Sequence, residues 1–418
     1  MRFTLILGLQ MQAAIISYFV YRLTYNENTH KGDPVVLGLI GLWEVIPAIG
    51  FSLFSGHFVD ISEKKKLISK CLLGYFILSI FFALIAFPQM QNYVPKNSII
   101  WLAFLGIFIG GMFRAFLSPA SFALLGIIVP KELIPNATTW SSASWQIGAV
   151  VGPLLAGVMI ACTGFQTSLF MVGLFIIISF INISFIPKQP VIKKEKEPIL
   201  KSLTEGIKFV FGTQIILAVL TLDMFAVLFG GAVALLPVYA DDILKVGEIG
   251  FGWLRSAPAI GAVVALLIMS VKPVKNNPGL KLFLCFIGFG ISTIIFGYCG
   301  FLGSKSVWAT IGGLNISGSF LLAFSMLLLG GMFDAVNVVI RHIILQLNTP
   351  HNMRGRVAAV NTIFISSSNE LGAMESGITA KWMGTVPAVV FGGCMTIAVV
   401  AITWFIAPVL KTFKIEDE

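Results

Sequence analysis

The sequence GGMFRA at Gly110–Ala115 returns 220 residues later as GGMFDA at Gly330–Ala335. A second match joins PAIG at Pro47–Gly50 to PAIG at Pro258–Gly261, with an offset of 211 residues. The two matches occupy corresponding places in the first and second halves of the chain. They predict an internal duplication in which both halves have the same order and direction.

The composition predicts a membrane protein. Of the 418 residues, 57% are hydrophobic and 11% are charged, whereas a soluble domain carries about 25% charged residues. The apolar residues recur in blocks of about 20, the length of a helix that crosses a bilayer, and backbone groups in lipid must be satisfied within their own helix. We therefore expect an all-α membrane protein with twelve transmembrane helices, near 3–24, 35–58, 67–88, 99–121, 139–162, 167–187, 213–238, 249–271, 281–301, 317–345, 357–379 and 384–408.

The basic residues predict the orientation. With the N-terminus in the cytoplasm, twenty Lys and Arg residues, Arg341 among them, fall on the cytoplasmic side and six on the outer side. Cytoplasmic loops carry the excess of positive charge, so we expect both termini in the cytoplasm. The net charge of +9 is then explained by anchoring to anionic membrane lipid, and no nucleic-acid partner is needed.

The longest polar stretch lies between the sixth and seventh predicted spans, so six spans precede it and six follow it. We expect an N-terminal six-helix bundle over 1–187, a basic cytoplasmic linker over 188–212 and a C-terminal six-helix bundle over 213–418. Within the linker, Ile199–Phe211 is predicted to form a surface helix. The two bundles are expected to be parallel pseudo-repeats.

Several polar residues fall inside the predicted spans. A charge at the bilayer centre costs about 2.5–3.5 kcal/mol on insertion scales, so these groups are expected to face one another or a wet cavity. One interpretation is that these residues couple transport to protons and line a cavity. The alternative is that they form ion pairs that fix the contacts between helices. The set consists of Gln12, Glu44, Arg114, Asp223, Arg255, Asp334, Glu370 and Glu375.

The repeat aligns residues of opposite charge. Glu44 aligns with Arg255, and Arg114 aligns with Asp334. Extending the offset of 211 also aligns Gln12 with Asp223. One hypothesis is that Arg114 and Asp334 face each other across a cavity.

No pattern of an enzyme is present in the sequence. It has no phosphate-binding loop, no G-x-S-x-G elbow and no metal-ligand spacing among its four His and five Cys residues. We therefore expect no catalytic residues, no metal and no cofactor.

Two segments resemble motifs of the major facilitator superfamily. The loop GHFVDISEKKK, with Gly56, Asp60, Lys64, Lys65 and Lys66, resembles the superfamily's G-x-x-x-D-R-x-G-R-R loop, although Ile61 and Glu63 depart from it. The resemblance implies a cytoplasmic gate in which Asp60 latches a helix. The stretch GAVVGPLLAG, with Gly148, Gly152, Pro153 and Gly157, resembles the G-x-x-x-G-P motif of its antiporters and exporters, and as plain packing it predicts a helix–helix seam.

A third segment points to one branch of that superfamily. The segment NTPHNMRGRVAAVN, with Arg354, Gly355 and Arg356 between spans ten and eleven, is similar to the corresponding loop of the enterobactin-exporter branch. The resemblance covers nearly the whole chain and implies the major facilitator fold.

The function implied by this resemblance is secondary active transport. We expect a monomeric, proton-coupled exporter of a small amphipathic or chelating molecule, of the siderophore or drug type, that works by alternating access. We expect it to be a multi-pass protein of the bacterial inner membrane. Its expected partners are the substrate, protons and membrane lipid, with no nucleic acid. The alternatives are an uptake symporter or lysolipid flippase of the same fold, and a transport-inactive receptor or assembly factor.

Overall fold

The computed structural model describes residues 1–26, 32–187, 199–272, 277–350 and 353–413. The surroundings of Gly56 and the side chain of Asp60, both in the predicted gate, lie outside this description, as do residues 188–198 of the predicted linker. The described chain is almost entirely helical. Its main helices are α1 Arg2–Thr24, α2 Pro34–Ile61, α3 Lys64–Ile85, α4 Lys96–Ile128, α5 Ile134–Ser184, α6 Ile199–Gly212, α7 Gln214–Phe229, α8 Gly247–Val271, α9 Pro278–Gly297, α10 Gly318–Leu347, α11 Arg354–Met383 and α12 Thr385–Ile406.

Ten helical stretches of the described chain are long and apolar enough to cross a membrane. One of them, Asn136–Ser184, has 49 residues and contains a break at Gly164, where the backbone leaves the helical region with φ of 78°. Helix α11 has 30 residues but is not among the ten, because Glu370, Glu375 and its many Ser residues make it more polar. The count of twelve and the cytoplasmic termini stay predictions.

The chain divides into two compact units by its internal contacts. Unit 1 combines Met1–Glu195 with Ala240–Ser256, and unit 2 combines Lys196–Tyr239 with Ala257–Glu418. The segment Ala240–Ser256 follows α7 in the sequence and includes the first part of α8, yet it packs in unit 1. The predicted six-plus-six division therefore stays a prediction.

In unit 1, the repeated sequence forms a close seam between α2 and α4. A Cβ on Gly111 would lie 2.4 Å from the carbonyl oxygen of Glu44 and 2.8 Å from Cγ of Pro47. The absence of a side chain at Gly111 thus lets the two backbones touch.

Unit 2 repeats this seam with the aligned residues. A Cβ on Gly331, which aligns with Gly111, would lie 2.1 Å from the carbonyl oxygen of Pro258, which aligns with Pro47. A Cβ added to Gly261 would likewise clash with the carbonyl oxygen of Leu328. The duplication read from the sequence therefore corresponds to an equivalent helix contact in each unit.

A β-hairpin precedes α10 and was not predicted. Strands β1 Val307–Ile311 and β2 Leu314–Ser317 pair antiparallel. Gly312 and Gly313 join them with φ of 56° and 86°, a conformation that favours glycine in two-residue hairpin turns. The Gly312-Gly313 pair between the short runs VWATI and LNIS is the sequence signal that could have predicted the hairpin.

We expect the α2–α4 seam to make the Gly111 position intolerant of a methyl group. Gly111→Ala should lower the free energy of unfolding by about 1–3 kcal/mol, because the Cβ meets backbone that cannot move easily. Gly126→Ala on the same helix should be neutral or stabilising, because no atom lies within 4 Å of its Cβ position. Thermal unfolding of the purified proteins in detergent measures both, and equal Tm values for the two variants would contradict the seam.

Candidate functional site

A buried ion pair lies at the centre of unit 2. Asp223 on α7 pairs with Arg341 on α10 through the carboxylate Oδ2 and the guanidinium Nη1. Their side chains are only 6% and 4% exposed. The neighbours of Asp223 on α7 are apolar and buried, among them Val219, Leu220 and Leu222. Because each charge is removed from water, each depends on the other for compensation.

Two further polar side chains share a face of α10 with Arg341. Asp334 precedes Arg341 by seven residues and Asn337 precedes it by four, a spacing that places all three along one side of a helix. Asp334 is partly exposed and interacts electrostatically with both Asp223 and Arg341. Asn337 is completely buried, and neither its Oδ1 nor its Nδ2 has a hydrogen-bond partner.

Unit 1 contains an exposed ion pair beside its glycine seam. Arg114 Nη1 on α4 donates to Glu44 Oε1 on α2 at 2.5 Å, and the two side chains are 53% and 32% exposed. Glu44, one partner of Arg114, therefore lies in the same unit as Arg114. A pair this accessible inside a membrane requires water nearby, since lipid cannot solvate either charge.

The remaining members of the predicted polar set are dispersed. Gln12 on α1 is buried, and its Oε1 has no hydrogen-bond partner. The guanidinium of Arg255 lies 6.0 Å from the ring centre of Phe251. On α11, Glu375 accepts a hydrogen bond of 2.8 Å from the hydroxyl of Thr379, and Glu370 is partly buried.

A second polar cluster in unit 1 joins α1 to the segment Ala240–Ser256. The hydroxyl of Tyr18 donates to Asp241 at 2.5 Å, and that of Tyr21 donates to Asp242 at 2.5 Å. Arg22 lies 3.0 Å from Glu248 and 3.6 Å from Asp241. Hydrogen bonds to ionised acceptors are among the strong ones. This end of α1 is thus tied to a segment more than 200 residues away in sequence.

The exporter-like glycine motif forms the predicted packing seam. Added Cβ atoms on Gly148 and Gly152 would lie 2.6 Å from Ile6 and 2.7 Å from Gln10, both on α1. One on Gly157 would lie 2.5 Å from the carbonyl oxygen of Glu248. The motif therefore lets α5 contact α1 and the first turn of α8 at backbone distance.

Two basic residues near the ends of helices satisfy backbone carbonyl groups. Lys65 Nζ donates to the carbonyl oxygens of Ser184, at 2.8 Å, and Ile186, where α5 ends and its dipole is negative. Arg354 donates to the carbonyl oxygens of Thr349 and Gln346 at the end of α10.

Other members of the loop motifs have different surroundings. Arg356 Nη1 pairs with Glu205 on α6 at 2.6 Å. Lys64 is buried, Lys66 is exposed, and no atom lies near the Cβ position of Gly355.

The sequence analysis missed several of these groups. It assigned Arg341 to the cytoplasmic side, whereas the structure buries it against Asp223; its spacing of seven from Asp334 was the available signal. It did not single out Tyr18, Tyr21 or Arg22, although their spacing of three and four places them on one helix face.

The family of the chain follows from a comparison with known families. The model of the Major Facilitator Superfamily matches residues 2–373. The chain belongs to the major facilitator superfamily. It is therefore a multi-pass membrane transporter and not an enzyme, and the predicted fold class is confirmed.

Individual relatives agree with this assignment. The chain is 22% identical over 406 residues to the enterobactin exporter EntS of Shigella boydii, covering 91% of this chain and 90% of the relative. The identity and coverage are the same for enterobactin exporter EntS of Escherichia coli O1:K1. The resemblance to the enterobactin-exporter branch is thereby confirmed as a similarity.

Solved structures share the fold across the whole chain. A bacterial homologue of the iron transporter ferroportin in an inward-facing state has a TM-score of 0.69 at 14% identity, with 99% of this chain and 97% of that chain covered. A D-xylose-proton symporter also has a TM-score of 0.69, at 13% identity, with 99% of each chain covered. At identities this low, these structures show that the fold is shared and indicate nothing about the substrate.

We expect the two ion pairs to differ in energetic coupling. Asp223→Ala or Arg341→Ala alone should lower the free energy of unfolding by about 3–5 kcal/mol, because each leaves a buried charge uncompensated. The double variant should cost much less than the sum of the two. The exposed Glu44–Arg114 pair should show a coupling below about 1 kcal/mol. Double-mutant cycles measured by chemical unfolding in detergent compare them, and additive effects at Asp223 and Arg341 would contradict the buried pair.

Proposed function

We propose that this major facilitator transporter exports a small chelating or amphipathic molecule of the siderophore type from the cytoplasm, in exchange for protons. The observation that carries the proposal is the similarity to enterobactin exporters over 91% of the chain. The stretch Gly148–Gly157 supports the direction, because it resembles the G-x-x-x-G-P motif of antiporters and exporters in this superfamily.

The polar groups of the site are suited to such a cycle. The exposed Glu44–Arg114 pair supports a water-accessible surface on α2 and α4, where a polar substrate can be bound. The partly exposed carboxylate of Asp334 supplies a group that can change charge, and the buried pair of Asp223 and Arg341 supplies fixed charges. A proton that moves down a membrane potential releases about 2.3 kcal/mol per 100 mV, which can drive the uphill export of a neutral or anionic molecule.

Uptake by proton symport is the second candidate. A D-xylose-proton symporter shares the fold, and the fold by itself serves either direction of transport. The two candidates predict opposite directions of substrate movement for the same proton gradient, so a measurement of direction separates them.

The function can be tested with enterobactin as the probe. A bacterium that makes enterobactin but lacks its exporter should recover secretion into the medium when this chain is expressed. Asp223→Asn should abolish the recovery while the protein remains in the membrane, because Arg341 loses its ionised partner and then neutralises Asp334, whose charge can no longer change. Glu132→Gln, at an exposed carboxylate outside the buried pair, should leave secretion unchanged.

Inverted membrane vesicles supply the test of direction. With an acidic lumen, an exporter should concentrate enterobactin inside the vesicles, and collapse of the pH gradient should release it. Depletion of the lumen would indicate symport instead. Failure to move enterobactin in either assay would remove it as a substrate, and normal secretion by Asp223→Asn would remove that carboxylate from the mechanism.

A further inference from the structure

The cluster of Asp223, Asp334, Asn337 and Arg341 has one negative charge too many. With both carboxyl groups ionised, two negative charges face the single positive charge of Arg341. A net charge inside a membrane-spanning helix bundle is unfavourable, even where one of its groups is partly exposed. One positive charge is therefore required to balance the cluster.

The geometry decides which carboxyl group is left unbalanced. Asp223 is in direct contact with Arg341, and both are almost fully buried. Asp334 interacts with Arg341 without a salt bridge among the described pairs, and it is partly exposed. Asp334 thus carries the surplus charge and is also the more accessible of the two carboxyl groups.

Asn337 is placed to respond to the state of Asp334. It lies three residues farther along α10, on the same face, and both of its side-chain polar atoms lack a partner. A side-chain amide can donate through Nδ2 and accept through Oδ1. It can therefore donate to the Asp334 carboxylate and, after protonation, accept a hydrogen bond from the carboxylic acid.

We propose that Asp334 binds the exchangeable proton of this transporter, that Arg341 keeps Asp223 ionised, and that Asn337 positions Asp334 in both protonation states. The step adds one proton to an Asp334 carboxylate oxygen and later removes the same proton, with no other bond changed. The inference rests on the proton coupling of the proposed function, which it assigns to one residue.

Other titratable groups lie on the helices packed against α7 and α10. Charged or titratable side chains on these helices include Arg255 on α8, Lys281 and Cys285 on α9, Glu370 and Glu375 on α11, and Cys394 on α12. Glu375 is engaged with Thr379, and His342 follows Arg341 on α10. Among them, Glu370 and Glu375 are the carboxyl groups that the experiment has to distinguish from Asp334.

Infrared difference spectroscopy of the purified protein tests the assignment without transport. Among the carboxylic acid carbonyl bands that disappear as the pH rises in choline chloride, one should belong to Asp334. Asp334→Asn should remove this band, because the titrating group is gone. Asp223→Asn should remove it as well, because Arg341 then neutralises Asp334. Glu44→Gln, Glu370→Gln and Glu375→Gln should each retain it.

Variants of Asn337 distinguish a role in positioning Asp334 from a merely structural role. Asn337→Leu should raise the midpoint of the band by about one pH unit, because the lost donor stabilised the carboxylate more strongly than the lost acceptor stabilised the acid. Asn337→Ala serves as a second variant should the leucine prevent folding. The control is Asn182→Leu, since Asn182 is exposed and donates only to the carbonyl oxygen of Ile178 on its own helix.

Three results would overturn the proposal. They are a band that persists in Asp334→Asn, a midpoint in both Asn337 variants equal to that of Asn182→Leu, and a band that vanishes when sodium chloride replaces choline chloride. The last result would indicate a sodium ion in place of the proton. A normal band in a protein that fails to export enterobactin would instead contradict only the proposed function.

Discussion

The pairing of Asp223 with Arg341 is the interaction on which the second unit depends. Two opposite charges lie in contact inside an apolar helix bundle, and removing either one leaves the other without water or a partner. Apolar side chains of equal volume would avoid this risk. The retention of charge at such a position is typical of a functional site in a membrane protein. It also fixes how α7 and α10 pack, and it leaves Asp334 as the carboxyl group without a full counter-charge.

The two units use related sequences for different electrostatic purposes. Gly111 and Gly331 bring equivalent helix pairs together at backbone distance, so the geometry of the repeat is kept. The charges beside the seams are not kept. Unit 1 balances Arg114 with Glu44 on accessible side chains, whereas unit 2 buries its cation and carries a surplus carboxylate. The proposed division of labour follows from this contrast: an accessible surface for substrate in one unit and the partly exposed Asp334 carboxyl group for a proton in the other.

Sequence reasoning was most successful where the evidence was local or repeated. Apolar blocks of the right length predicted the helices, the paired motifs predicted the seams, and the spacing of Gly148, Gly152 and Gly157 predicted close packing of α5. It failed where a partner lay far away in the sequence. Assigning each basic residue to the cytoplasmic or the outer side assumes that a cation near the end of a span reaches water. Arg341 does not, because it is buried. The acceptors of Tyr18 and Tyr21 lie more than 200 residues away, and no local pattern marks such a pair.

The central claim is that one proton is exchanged per transport cycle, because the proposed cluster lacks a single positive charge. The direct measurement is the pH difference that stops net movement of the exported molecule in proteoliposomes held at zero membrane potential. With one proton exchanged, a tenfold substrate gradient should be balanced by about one pH unit, since each corresponds to the same free energy. A balance at about half a pH unit would mean two protons. Movement that no pH difference can stop would mean that transport is not coupled to protons, and either result would contradict the account.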